Sequence, residues 1–200
     1  MSSINNRFRK KWQDYCSKNS ITAEQDFYNV FKVVLEGTEY EIKKKPQDFN
    51  SIYLDVELDK KELSEIYNPK EKIKRHGFIP DFVIINNNTG KSIYIEVKRQ
   101  DGWVEGKTLY AGRGNAHERL CKYFVPAILS LLRNKTKIKE KGFLPFLAIF
   151  LGDITRDPCR VKEINFWFKG FKHNYFFWRD SSNAEELIKY FENHIVPMLD

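Results

Sequence analysis

Cysteine is scarce in this chain of 200 residues. The three that occur, Cys16, Cys121 and Cys159, are far apart and form no C-x-x-C pair. An odd, scattered set excludes a disulfide framework and a thiolate zinc site, and predicts reduced thiols in a cytoplasmic protein. Long hydrophobic runs are missing too. The longest, at residues 124–132 and 143–151, are interrupted and too short to span a bilayer, so no membrane partner is expected. The polar start, residues 1–11, lacks the apolar core of a signal peptide. There is no low-complexity segment, no internal repeat and no linker long enough to divide the chain. The length therefore predicts one domain over residues 1–200, with a sizeable core. Acidic residues do not dominate: 34 Lys and Arg against 27 Asp and Glu leave a formal charge of +7. That balance favours a polyanionic partner, mildly, because the acids are interspersed among the bases.

What is present is an alternation of strand and helix signals. Residues 7–18 predict a short basic helix with Trp12 and Tyr15 as its apolar contacts. Thr22 followed by Gln25 has the pattern of a capping box. Phe27, Val30, Phe31 and Val34 then recur at helical spacing, and Gly37 supplies the stop. Residues 40–44 predict a short strand ended by Pro46, and residues 52–58 an edge strand. Asp59 with Glu62 predicts a capped short helix through Tyr67. Residues 68–77 predict a surface loop. Residues 101–114, with four glycines and no period, predict a long ordered one. A helix is expected from Asn115 to about Arg133, with Leu120, Phe124, Ile128 and Leu131 as its stripe and a kink at Pro126. Residues 144–151 have the continuous apolar character of a strand buried on both faces. Asp157-Pro158 opens a further helix, residues 173–179 a strand, and residues 181–183 cap a C-terminal helix carrying Ile188, Phe191 and Ile195. Alternating elements around one buried sheet predict an α/β fold: a central mixed β-sheet flanked by helices.

The centre of the chain carries the chemistry. Residues 82–85 are β-branched and aromatic, Asn86 to Gly90 have turn composition, and residues 92–99 alternate with period two. Ile93, Ile95 and Val97 fall on one face, and Tyr94, Glu96 and Lys98 on the other. A hairpin of this kind brings Asp81, at the start of its first strand, close to Glu96. Two carboxylates and an ammonium then share one face of a sheet, which suits a divalent cation and a phosphate. Hard oxygen ligands suit Mg²⁺, and the backbone carbonyl of Val97 can add to the two carboxylates. Lys98 would neutralise charge on the attacked phosphate and position the water. Taken alone, Glu96 and Lys98 are equally an ordinary ion pair on a surface hairpin.

Pro80-Asp81 followed by Glu96-Val97-Lys98 resembles the PD-(D/E)xK nuclease signature. Downstream, Gly114-Asn115-Ala116-His117-Glu118-Arg119 resembles the recognition segment of EcoRI-type restriction endonucleases. The longer strings at residues 98–107 and 111–119 resemble the MunI-like branch of those enzymes, with further similarity at residues 23–25, 28–31, 36–38 and 152–158. The resemblance covers most of the chain. It implies the restriction-endonuclease-like fold, catalytic roles for Asp81, Glu96 and Lys98, and Mg²⁺ held by Asp81, Glu96 and Val97. It also implies double-stranded DNA as partner, a homodimer acting on a palindromic site, and a companion DNA methyltransferase in function. Asn115, Ala116 and Arg119 would read inner A·T pairs, Arg113 an outer C·G pair, and Gly114 would let the backbone lie close to the bases. The implied site is CAATTG, cut to leave 5′-AATT ends. Arg and Asn suit this work, since they bridge two acceptors of guanine or the donor–acceptor pair of adenine in the major groove. Asn115 also reads as a plain helix cap, and both readings can hold together. His117 is expected to position its neighbours rather than act as a base. Arg156, Arg160 and Lys162 suit phosphate contacts or a solvated basic face. Two alternatives stand beside this reading: a PD-(D/E)xK repair nuclease or resolvase, and a non-catalytic DNA-binding domain on the same fold.

Overall fold

The apolar stripe of Phe27, Val30, Phe31 and Val34 forms one buried side of a helix, α1 (Ala23–Val34). Gly37 ends it in the left-handed region, at φ 66°, where a residue without Cβ carries no steric penalty. The computed structural model describes residues 23–66, 75–101 and 117–200. The helix expected at residues 7–18, the Thr22 cap and most of the 101–114 loop lie outside the described residues.

Among the described residues, five strands form one mixed sheet in sequence order. They are β1 (Tyr40–Lys44), β2 (Phe82–Asn86), β3 (Ser92–Arg99), β4 (Phe146–Leu151) and β5 (Tyr175–Trp178). β1, β2 and β3 run antiparallel, joined between β2 and β3 by the Asn86–Gly90 turn. β3, β4 and β5 run parallel, as helical crossovers require. The register pairs Phe82 with Ile95 and Glu96 with Ala148. This fixes which side chains share a face.

On one face, Phe82, Ile84, Ile93, Ile95, Val97, Leu147 and Ile149 pack against α1 and the C-terminal helix α5 (Glu185–His194). On the other, Val83, Tyr94, Phe146, Ala148 and Phe150 pack against a 3₁₀ helix (Glu118–Phe124), α3 (Pro126–Thr136) and α4 (Pro158–Trp167). Asp157 caps α4, accepting from the N–H groups of Cys159 and Arg160, with Pro158 in the first position. Asp59 and Glu62 form the expected capping box of α2 (Lys60–Glu65). A further short helix, α6 (Val196–Leu199), closes the chain.

Three expectations need correction. Of the helix foreseen from Asn115 to Arg133, the described residues form two elements. Val125 is extended at ψ 131°, the conformation favoured before a proline, so Pro126 starts a new helix instead of kinking an old one. On that helix Leu132 is buried alongside the expected Ile128, whereas Leu131 is 42% exposed. Residues 52–58 are turns and coil, not an edge strand: Leu54, Val56 and Leu58 are exposed and have no neighbouring strand to reward alternation. The C-terminal helix is capped later than residues 181–183 suggest, with Ala184 at the cap position and Asn183 accepting from the Glu185 N–H.

Candidate active site

The pairing of β2 with β3 ends at Phe82 and Ile95, and Asp81 sits one residue before that pair. Its side chain therefore points to the same face as Glu96. Both carboxylates are buried, Asp81 at 6% and Glu96 at 3% exposure. Buried carboxylates must be paired or hydrogen-bonded, and these are. Asp81 Oδ2 accepts from the Val97 N–H at 2.9 Å and lies 3.4 Å from Lys98 Nζ. Glu96 Oε2 pairs with Lys98 Nζ, and Glu96 Oε1 accepts from the Tyr123 hydroxyl.

Lys98 is the centre of this arrangement. Its Nζ reaches Asp81 Oδ2, Glu96 Oε2 and, at 3.3 Å, the carbonyl oxygen of Val97. Three hard oxygens thus converge on one cationic atom. Among the described residues no three His, Cys, Asp or Glu side chains gather as a metal cluster. The donors on offer are two carboxylates and a carbonyl, a set that fits a magnesium-type ion retaining several waters.

The sequence reading missed three contributors. Tyr123 comes from the 3₁₀ helix and is wholly buried against Phe78 and Phe146. Lys122, beside it, lies 3.9 Å from Glu96 Oε1 and over the Phe78 ring. Lys45, just after β1, donates to Asp81 Oδ1 at 2.6 Å and lies 3.0 Å from Glu24 of α1. Only the spacing of Lys122 and Tyr123 after Arg119, three and four residues on, hinted at a shared helical face.

The two carboxylates feel opposite net fields. Burial pushes the Asp81 carboxyl up, but Lys98, Lys45 and the Val97 N–H outweigh it and hold the group below the usual carboxylate range. For Glu96, burial dominates and the Asp81 charge adds to it, so its carboxyl stands above the usual value despite Lys98 and Tyr123. Burial also raises the Tyr123 hydroxyl, reinforced by the Glu96 charge, which keeps it a donor. Lys122 is lowered by burial, against the pull of Glu96.

Of the residues expected to touch DNA, Arg113, Gly114, Asn115 and Ala116 lie outside the described residues. Arg119 is exposed on the 3₁₀ helix that carries Lys122 and Tyr123. His117 is fully buried. Its ring stacks on Trp167 at 5.2 Å between centroids, and Nε2 lies 3.1 Å from Glu163 Oε2. Arg160, considered for phosphate contact, pairs with the same Glu163 oxygen at 2.6 Å and is only 14% exposed. Arg156 reaches the Arg179 carbonyl. At the end of β4, Gly152 (φ 81°) packs on Gln100 and Asp101; a Cβ there would lie 2.8 Å from the Gln100 carbonyl oxygen. No helix among the described residues is long and apolar enough to cross a membrane.

Comparison with known proteins gives a consistent result. The family model described as type II restriction enzyme MunI matches residues 1–200. The type II restriction enzyme MunI of a Mycoplasma species is 44% identical over 194 residues, covering 96% of each chain. The crystal structure of MunI restriction endonuclease in complex with cognate DNA superposes with a TM-score of 0.83 at 41% identity, over 98% of this chain and 96% of that one.

Proposed function

From a chain that belongs to the MunI family of type II restriction enzymes, and is accordingly a type II restriction endonuclease, we propose a magnesium-dependent double-strand cut at the palindrome CAATTG that leaves 5′-AATT overhangs. The repair-nuclease and non-catalytic alternatives fall with that membership. A palindromic site calls for a two-fold protein, so the acting form is a homodimer, each copy a single catalytic domain. It works in the cytoplasm alongside a methyltransferase that protects host DNA.

The observation that carries the chemistry is the convergence of Asp81, Glu96, the Val97 carbonyl and Lys98 on one point. Asp81, Glu96 and the Val97 carbonyl would hold Mg²⁺, which when bound would make water a better nucleophile and offset charge on the phosphate. Lys98 would offer its ammonium to the scissile phosphate and orient the attacking water. Tyr123 fixes one oxygen of Glu96, leaving the other for the ion. Val97 N–H fixes Asp81. Buried walls of Phe78, Tyr94 and Phe146 keep bulk water from these groups.

Base reading falls to Asn115, Ala116 and Arg119 on the inner A·T pairs and to Arg113 on the outer C·G pair, with Gly114 allowing close backbone approach. His117, locked between Trp167 and Glu163, anchors the end of that segment. The test is to incubate the protein with Mg²⁺ and a library of duplexes and to sequence the cut ends. Ends beginning AATT, each preceded by C and followed by G in the rejoined site, support the reading. Cuts at another palindrome overturn the site assignment, and no cutting in Mg²⁺ overturns the cofactor.

A further inference from the structure

Lys45 has a backbone that lysine seldom adopts. Its φ is 45°, in the left-handed region, which costs energy for any residue with a Cβ. Yet Lys45 lies outside the core, with half of its side chain exposed. Two bonds to one partner account for its conformation. Its backbone N–H donates to the Asp81 carbonyl at 2.9 Å, and its ammonium donates to Asp81 Oδ1 at 2.6 Å. The same ammonium lies 3.0 Å from Glu24 Oε2, in the first turn of α1.

The two oxygens of Asp81 are thereby told apart. Oδ1 belongs to Lys45; Oδ2 accepts from the Val97 N–H and faces Lys98. We propose that Lys45 is a positioning residue of the active site, turning Asp81 Oδ2 toward the cation position while its own charge limits how tightly that cation binds, with Glu24 offsetting part of that charge. The inference rests on the reading that Asp81 and Glu96 hold a divalent cation. It deepens that reading by assigning roles to two residues outside the cation's own ligands.

Position and charge pull in opposite directions. An ammonium on the same carboxylate repels a second cation, so removing it strengthens cation binding. Removing it also frees Asp81 to rotate, which slows turnover, because small misplacements of reacting groups are costly. A contact that merely stabilised the fold would weaken both. Glu24 supplies the converse case. Its neutralisation leaves the Lys45 charge uncompensated and weakens cation binding, without touching Asp81.

The experiment uses the full chain without DNA and Ca²⁺ as the probe, titrated calorimetrically at fixed ionic strength. Single-turnover cleavage is measured in parallel at saturating Mg²⁺. Lys45→Met is expected to bind Ca²⁺ about tenfold more tightly than wild type and to cut about tenfold more slowly. Glu24→Gln is expected to bind it several-fold more weakly, and Lys45→Arg to recover part of the rate. If Lys45→Met does not fold, Lys45→Gly, which accepts the left-handed backbone, carries the same expectations. Weaker or unchanged Ca²⁺ binding in the folded Lys45 variant overturns the proposal. Wild type showing no Ca²⁺ binding that Asp81→Ala removes would instead overturn the cation reading beneath it, and the proposal with it.

Discussion

On one face of the central sheet, Ile93, Ile95 and Val97 meet Phe27, Phe31 and Phe191, all nearly or wholly buried. On the other, shifted by one residue each time, Tyr94, Glu96 and Lys98 meet aromatic rings, a tyrosine hydroxyl, one further lysine and the Asp81 carboxylate. The same strand thus serves two purposes at alternate positions. The first face is saturated with apolar contacts and gains about 1.5–3 kcal/mol for each large side chain buried. The second buries two carboxylates, a cost met only by the lysines, the Tyr123 hydroxyl and the Val97 N–H around them. Both faces carry a buried apolar cluster, and only the second sets buried charge into it. Substitutions on the two faces should therefore fail in different ways.

The largest separation is expected on the charged face. Asp81→Ala, Glu96→Ala and Lys98→Ala should each lower single-turnover cleavage by about 10³-fold or more, while the melting transition stays cooperative. Near-native cutting in Mg²⁺ by any one of them would remove that residue from the chemistry. On the opposite face, Ile95→Ala, one position from Glu96, should lose about 2–5 kcal/mol of stability in urea unfolding. It should still cut once folded at low temperature. A loss of stability under about 1 kcal/mol would mean that this face is less tightly packed than its burial indicates.

Period two made this division legible before any coordinates. Alternation in residues 92–99 assigned Glu96 and Lys98 to one face and the isoleucines to the other, and Asn86 to Gly90 announced the turn that returns Asp81 to them. What could not be read comes from distant segments. Lys45 and Tyr123 lie 36 positions before Asp81 and 27 after Glu96, and no local pattern says that a loop lysine or a helical tyrosine will meet them. The helix boundary at Pro126 was legible in principle, since an X-Pro step disfavours helix at Val125. It was hidden by an apolar spacing that runs on through Leu120, Phe124 and Ile128. The 52–58 segment alternated without belonging to the sheet, because alternation rewards a strand only when a neighbour is there to pair.

Subtler substitutions sharpen the contrast. Tyr123→Phe keeps the ring and removes only the hydroxyl that donates to Glu96. Its stability should change by about 1 kcal/mol, while cleavage falls about tenfold; equal rates would make Tyr123 a packing residue alone. Smallest of all, Lys45→Gly should be more stable than Lys45→Ala by about 1 kcal/mol, since both lose the ammonium and only alanine keeps the backbone strain. Denaturant midpoints of the two variants decide this, and equal midpoints would place no strain at φ 45°.

The central claim is that Asp81 belongs to a site built to meet a phosphate through a bound cation. Without the cation, two carboxylates face the DNA backbone in a partly desolvated cleft, an unfavourable contact. The direct test is a gel shift of a CAATTG duplex in chelator, comparing wild type with Asp81→Ala, followed by addition of Mg²⁺ to the bound complexes. The account expects Asp81→Ala to bind more tightly than wild type in chelator and to leave the duplex uncut after Mg²⁺. A variant that binds no better than wild type in chelator, or that cuts the duplex at a near-native rate, would contradict it.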